Sequence, residues 1–472
     1  MERLKALIQK KLPKNAFARN ASVLVGGTLV AQVLMVLAAP LLTRLYSPDD
    51  FGLLAVYTSM LAITLLLSSL RYNIAIPLPE EDAEATNLVA LSLILVGINS
   101  FLIAVLVLLL SDPIAEALGL PVLVNYLWLL PLGILLGGAY NVFTQWSVRT
   151  KRFGVIASTR VRQALVALAI QLSTFKLGGL GLLLGQVAGH GVGATRLARP
   201  EFRKVSWAGI RKVAIRYQRF PIYSTPAGLS RVAGVELPSL VLAAAFSPAA
   251  AGLYALTNRV LGVPAAVLGG AVSQVFVSNA AEAYRNGSLG PLVRNLHAKM
   301  AQIGLPFMFL LMMLGPELFG IVFGEAWRQA GEFACWMAPW LYLVFVSSPI
   351  TTITAVMERQ KQGLVFHLAL LAFRIIALYV GIWTGDLMIT IMILAAVNAI
   401  WRLVFLLWLY VISGNTVISF VIDSFAASAK ALLCVAPVAI ALALFSGIWF
   451  YALGVSLVLI AVLYWRLLKQ AY

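Results

Sequence analysis

The sequence is short of charge. Only 11% of its 472 residues are Asp, Glu, Lys or Arg, whereas a soluble domain carries about a quarter. The chain lacks the polar groups needed to cover a water-facing surface. Acidic residues are the scarcer sign, 18 against 35 Lys and Arg, which leaves a formal net charge of +17. Cysteine is nearly absent. Cys335 and Cys434 both lie inside apolar runs and offer neither a disulfide framework nor metal-ligand spacing. Three scattered histidines, His190, His297 and His367, are too few for a metal site. No catalytic residue and no metal are therefore expected.

Hydrophobic length is what the chain does have. Hydrophobic residues make up 61% and the mean hydropathy is +0.93. Apolar runs recur from Asn20 to Leu467, each long enough to cross a bilayer as a helix of about 20 residues. They lack strand-like alternation, and a helix satisfies its own backbone in lipid. Fourteen spans are predicted: 20–44, 51–77, 86–110, 121–146, 155–175, 178–198, 221–246, 252–281, 296–323, 330–356, 363–384, 387–411, 428–446 and 449–467.

On a soluble protein the positive charge would point to nucleic acid; here it clusters between spans. Arg149, Lys151, Arg152, the run Arg196 to Arg219, Arg285, Arg294, Arg359, Lys361, Lys430, Arg466 and Lys469 fall on one side. The other side holds little beyond Lys176, Arg328 and, at a helix end, Arg44. This asymmetry puts both termini in the cytoplasm. One loop on the basic side is acidic instead, with Glu80, Glu81, Asp82 and Glu84 near Arg71. Residues Met1 to Arg19 read as a basic amphipathic segment on the membrane surface rather than a signal peptide.

One motif occurs twice. Ser47-Pro48-Asp49-Asp50-Phe51-Gly52-Leu53-Leu54-Ala55 returns as Ser247-Pro248-Ala249-Ala250-Ala251-Gly252-Leu253-Tyr254-Ala255, sharing S-P-x-x-x-G-L-x-A. Each copy is a tight turn between two apolar runs. The offset of six spans keeps direction across the membrane, as in parallel repeats. The expected fold is all-α and membrane-embedded, with two six-helix bundles around a central cationic cavity and two extra C-terminal helices. By residue, 1–19 is the basic segment, 20–198 an N-lobe, 199–220 a basic linker, 221–411 a C-lobe and 412–472 the last two spans and tail. Trp207, Ile210, Val213 and Tyr217 alternate with Arg211, Lys212, Arg216 and Arg219, which makes part of the linker an interfacial helix or a plain anchoring loop.

Charges inside spans point to function. Arg231, Arg259, Arg374 and Arg402 lie within them, and Arg71 sits towards the inner end of span 2. Each costs about 2.5–3.5 kcal/mol at a helix centre, so such residues face a bundle interior or a watery cavity, or else pair structurally; Arg71 and Arg402 also have room to snorkel. A cavity lined by Arg231, Arg259, Arg374, Arg71, Arg402 and Arg44 suits an anionic group such as phosphate, to which the guanidinium fork donates paired hydrogen bonds. Gln32, Asn258 and Gln274 are candidates to line the same lumen, or interhelical glue. The one deep carboxylate, Glu236, lies between Gly234 and Pro238, where an unwound helix is expected. It is the candidate site for H+ or Na+ coupling, with pairing to Arg231 or Arg259 as the alternative. The Gly185–Gly193 run reads as small-residue helix packing.

The segment Thr43-Arg44-Leu45-Tyr46-Ser47-Pro48-Asp49-Asp50-Phe51-Gly52 resembles the first hairpin of bacterial Wzx-type polysaccharide-biosynthesis flippases. So do Leu70-Arg71-Tyr72, Ala75 to Pro79, Ser247 to Arg259, Ser273 to Phe276 and Ala280-Ala281-Glu282. The sequence departs from many relatives at Val277-Ser278-Asn279, where an aromatic-Pro-basic run is more usual. The resemblance covers essentially the whole chain and places it in the MOP superfamily, beside lipid II flippases and MATE exporters. It implies a non-enzymatic flippase in the bacterial inner membrane. The implied cargo is an undecaprenyl-diphosphate-linked oligosaccharide for O-antigen, capsule or exopolysaccharide. It also implies alternating access, a monomer without nucleic-acid partners, and a polysaccharide polymerase with its chain-length machinery as partners. The last two spans would groove the lipid tail. A MATE-like cation or drug antiporter, and a membrane glycosyl transferase or polymerase, are the alternatives.

Overall fold

The computed structural model describes residues 16–197, 202, 205–444 and 449–469. The expected basic segment over 1–19 lies outside them but for its last residues, as do parts of the linker and tail. The elements in order are α1 (Ala16–Leu37), α2 (Ala39–Leu45), α3 (Pro48–Ser68), α4 (Asp82–Ala117), α5 (Leu129–Arg149), α6 (Phe153–Ser173), α7 (Gly179–Arg196), α8 (Trp207–Arg216) and α9 (Thr225–Ala245). They continue with α10 (Pro248–Pro264), α11 (Gly270–Arg285), α12 (Leu289–Phe323), α13 (Arg328–Ile350), α14 (Ile353–Val356), α15 (Gln360–Trp383), α16 (Leu387–Ile412), α17 (Val417–Leu444) and α18 (Trp449–Lys469). Helix occupies each of the fourteen expected spans, and among the described residues 12 helices are long and apolar enough to cross a membrane. The chain is a multi-pass, all-helical membrane protein. Helices α5 and α7, the fourth and sixth expected spans, fall outside those twelve.

By its internal contacts the chain divides into two compact units, Met1–Ala255 and Leu256–Tyr472. In the first, α1 packs on α6, α6 on α7, α4 on α5, and α9 on α3. In the second, α12 packs on α13 and α17, α13 on α16, and α15 on α16. The helices cohere through close packing and interhelical hydrogen bonds, because lipid is as apolar as a leucine side chain. Tyr57 is an example. It is fully buried and its hydroxyl donates to the Leu129 carbonyl at 3.0 Å. The Gly185–Gly193 run does what its composition predicts. A methyl on Gly185 would lie 2.5 Å from Gln171, and one on Gly193 2.2 Å from Gln163, so α7 needs those glycines to reach α6.

The repeated motif builds the same local structure twice. Ser47 Oγ accepts from the Asp50 N–H at 3.2 Å, and Asp50 Oδ2 accepts from the Ser47 N–H at 2.9 Å, a reciprocal cap on α3. In the second copy Ser247 Oγ accepts from the Ala250 N–H at 3.1 Å, with no carboxylate to answer. The two turns then meet within the first unit. A Cβ on Gly52 would stand 1.9 Å from the Pro248 carbonyl oxygen, and one on Gly252 2.1 Å from that of Pro48. Each glycine lets the other hairpin's backbone in, so the contact is reciprocal as the motif is repeated.

Two expectations are corrected. Span 7 is not unwound at Gly234–Pro238; α9 runs unbroken with Pro238 inside it, because packed membrane helices re-satisfy the backbone groups that proline frees. The irregularity falls earlier, in a π turn over Phe220–Ser224. Span 8 is likewise interrupted by a π turn over Ala265–Gly269, between α10 and α11.

Candidate functional site

In the first unit the turn after α3 sets the site. Leu70 and Arg71 take consecutive left-handed φ angles of 46° and 64°. Such a conformation costs a non-glycine residue about 1–3 kcal/mol and persists where the surroundings over-determine it. Here they do. Tyr72, Ala75 and Ile76 are buried, the Tyr72 N–H donates to the Ser69 carbonyl at 3.0 Å, and the Ile74 N–H donates to Arg71 O at 3.1 Å. The guanidinium of Arg71 is thereby laid against α9. A Cβ on Gly228 would lie 3.5 Å from Arg71 Cζ, and Arg231 stands one turn further along the same helix. Arg71 Nε is buried without a hydrogen-bond partner, and Arg231 is exposed. Arg71 thus lies against the same stretch of α9, around Gly228, that carries Arg231.

Glu236 lies on α9 about one and a half turns from Arg231. Its Oε2 accepts from Ser59 Oγ of α3 at 2.8 Å. No ion pair among the described residues involves it, so the alternative of a pair with Arg231 or Arg259 is not seen and a hydroxyl contact stands in its place.

The second unit treats its arginines differently. Arg374 Nε donates to Asn398 Oδ1 at 2.6 Å, and its guanidinium lies 5.6 Å from the centre of the Trp340 ring. The amide of Asn398 in turn donates to the Leu394 carbonyl at 2.7 Å. Arg402 lies on α16. Its Nε is buried without a partner, beside a cleft of about 10 Å³ lined by Phe366, His367 and Trp401 among others, room for a single water. Arg259 and Asn258 are half-buried in α10. Arg44 and Gln32 are exposed on α2 and α1, and Gln274 is placed only by its backbone, in α11.

Sequence reasoning passed over several residues. Arg160 and Arg162 lie within the fifth expected span. Arg160 bonds Thr28 Oγ1 of α1, and Arg162 Nη1 is buried without a partner. Two arginines inside an apolar run were the available signal. The acidic loop also finds its reason. Arg149 donates through Nε and Nη2 to Asp82 Oδ1 at 3.0 and 2.9 Å, through Nη2 to the Glu80 carbonyl at 3.0 Å, and through Nη1 to that of Pro79. Arg216 Nη1 donates to both oxygens of Glu84, at 2.7 and 2.8 Å. The expected linker helix is α8, whose Ile210 and Val213 are buried while Trp207 is exposed; it packs on α4.

A model of the family described as polysaccharide biosynthesis protein matches residues 41–332. No curated protein sequence matches the chain. Among solved structures, the fold is similar to the lipid II flippase MurJ in an inward closed conformation, with TM-score 0.72 and 12% identity over 95% of this chain and 99% of that one. It is also similar to an inward-facing multidrug resistance MATE family transporter of the MOP superfamily (TM-score 0.55, 15% identity, 83% of this chain and 94% of that one). A MOP superfamily transporter from Pyrococcus furiosus follows at TM-score 0.51 and 14% identity, over 84% and 95%. These likenesses define the fold as that of the MOP superfamily.

Proposed function

From a chain that belongs to the polysaccharide biosynthesis protein family and carries the MOP fold, we infer a flippase that moves a lipid-linked oligosaccharide, joined through a diphosphate to a polyprenyl carrier, from the cytoplasmic to the periplasmic leaflet of the bacterial inner membrane. The observation that carries this reading is Arg71 laid against α9 at Gly228, one turn from Arg231, with its buried Nε unused. A diphosphate supplies the oxygens such a pair lacks, and arginine forks match them. The surrounding apolar helices suit a prenyl chain that stays in lipid while the headgroup crosses. Export proceeds by rocking of two helical bundles, without covalent chemistry on the cargo. Glu236, tied to Ser59, is the coupling group: protonation or Na+ binding there changes the charge on the helix that carries Arg231. The protein acts as a monomer with both termini in the cytoplasm, and hands its cargo to a polymerase with its chain-length machinery.

Leaflet-resolved mass spectrometry of prenyl-linked lipids tests this. Cells lacking the protein should accumulate one complete oligosaccharide-diphosphate lipid on the inner leaflet. An unchanged lipid pool together with altered drug resistance would replace the reading with a cation antiporter, and an incomplete sugar chain with an enzyme.

A further inference from the structure

The strained Leu70–Arg71 turn does not hold itself. Tyr72, the next residue, is buried, and its hydroxyl donates to the Ala214 carbonyl of α8 at 2.9 Å. Helix α8 is seated in turn on the first two turns of α4. Asn87 Oδ1 accepts from the Ser206 N–H at 3.1 Å, and a methyl on Gly209 would lie 2.7 Å from the Asn87 carboxamide. Arg216, the last residue of α8, is tied to Glu84 at the start of α4. From the other side Arg149 grips Pro79, Glu80 and Asp82. The segment from Ser69 to Glu84 is thus pinned at Tyr72 by the linker and at its far end by two arginines. The one cationic side chain it sends against α9 is Arg71.

We propose that Tyr72, Glu84 and Arg216 are positioning residues: the linker helix α8, clamped to the acidic segment, sets where the Arg71 guanidinium stands relative to Arg231. The proposal rests on the reading of that pair as the diphosphate contact. The acidic loop, against the charge bias of its side of the membrane, is kept because α8 and α5 need carboxylates and carbonyls to grip. Through this clamp, movement of the linker is transmitted to the anion site without any residue of α8 touching the cargo.

The test uses the full chain in nanodiscs, with undecaprenyl diphosphate as the probe, and reads three quantities: probe affinity, hydrogen–deuterium exchange of the peptide around residues 69–79, and melting temperature. Arg216→Glu and Tyr72→Phe should each speed exchange in that peptide and weaken probe binding, Arg216→Glu by about tenfold, with little change in melting temperature. Arg216→Lys should restore both, because one nitrogen, Nη1, serves both Glu84 oxygens and an ammonium can replace it. In an Arg71→Ala background Arg216→Glu should weaken binding no further, since a clamp acting through Arg71 has nothing left to position. If Arg71→Ala leaves binding intact, the anion-site reading falls and this proposal with it. If Arg71→Ala weakens binding but Arg216→Glu and Tyr72→Phe do not, or their losses add in full to that of Arg71→Ala, the anion site stands and the positioning role is overturned. A melting temperature that falls in step with affinity across Arg216→Glu and Tyr72→Phe, without rescue by Arg216→Lys, overturns it as well.

Discussion

The two units treat two of their arginines, Arg71 and Arg374, in opposite ways. The second unit gives Arg374 the side-chain oxygen of Asn398 and the Trp340 ring, although the Nε of Arg402 in the same unit is buried without a partner. The first unit bends its backbone into a left-handed turn to present Arg71 beside a second cation, and leaves Nε unbonded. Arg374 is tied into its unit, whereas on the reading proposed above Arg71 is kept for an anion.

The contrast can be broken most forcefully at glycines. Gly52→Ala places a methyl into the Pro248 carbonyl and should cost about 3 kcal/mol or abolish folded protein. Gly262→Ala, around which a Cβ meets nothing within 4 Å, should be neutral or stabilising by up to about 1 kcal/mol. Thermal melts of the detergent-solubilised variants compare the two. Next come the arginines themselves. Arg71→Ala should lower flipping about 100-fold at unchanged melting temperature, the size of effect expected when a substrate-positioning contact is lost. Arg374→Ala should instead lower stability by about 1–3 kcal/mol through the unpaired Asn398 oxygen. If Arg374→Ala proved transport-dead yet fully stable, the distinction between the units would collapse. Glu236→Gln keeps an oxygen for Ser59 but cannot ionise, so the imposed ion gradient should no longer accelerate transport in proteoliposomes, by about tenfold, while the fold is unaffected. At the small end, Arg328→Gln in the second unit removes exposed ion pairs to Glu317 and Glu325 and should move stability by less than about 1 kcal/mol.

Much of this was legible in the sequence, for identifiable reasons. Lone arginines in apolar runs stand out because lipid permits few of them, so Arg71, Arg231, Arg374 and Arg402 were all visible as candidates. The hairpins were visible because Ser-Pro and a glycine at fixed spacing have one local solution. What separates Arg71 from Arg374 was not visible. Leu70-Arg71 carries no glycine or asparagine to announce a left-handed turn, and Asn398 and Trp340 lie on other helices, where spacing along the chain says nothing. Ser59, the partner of Glu236, was one small polar residue among many. The acidic loop was noticed, but its meaning lay in Arg149 and Arg216, charges accounted for as part of the basic side of the membrane.

The reciprocal seat of Gly52 and Gly252 also bears on how the protein is made. The first hairpin enters the membrane while its partner is still untranslated. At about 5–20 residues per second, the intervening stretch takes on the order of 10–40 s to emerge. During that interval a glycine surface shaped for another backbone lies open to lipid or to any passing helix. One of the tightest fits among the described residues is therefore among the last its first unit can complete, and the nascent chain depends on nothing else occupying that place first.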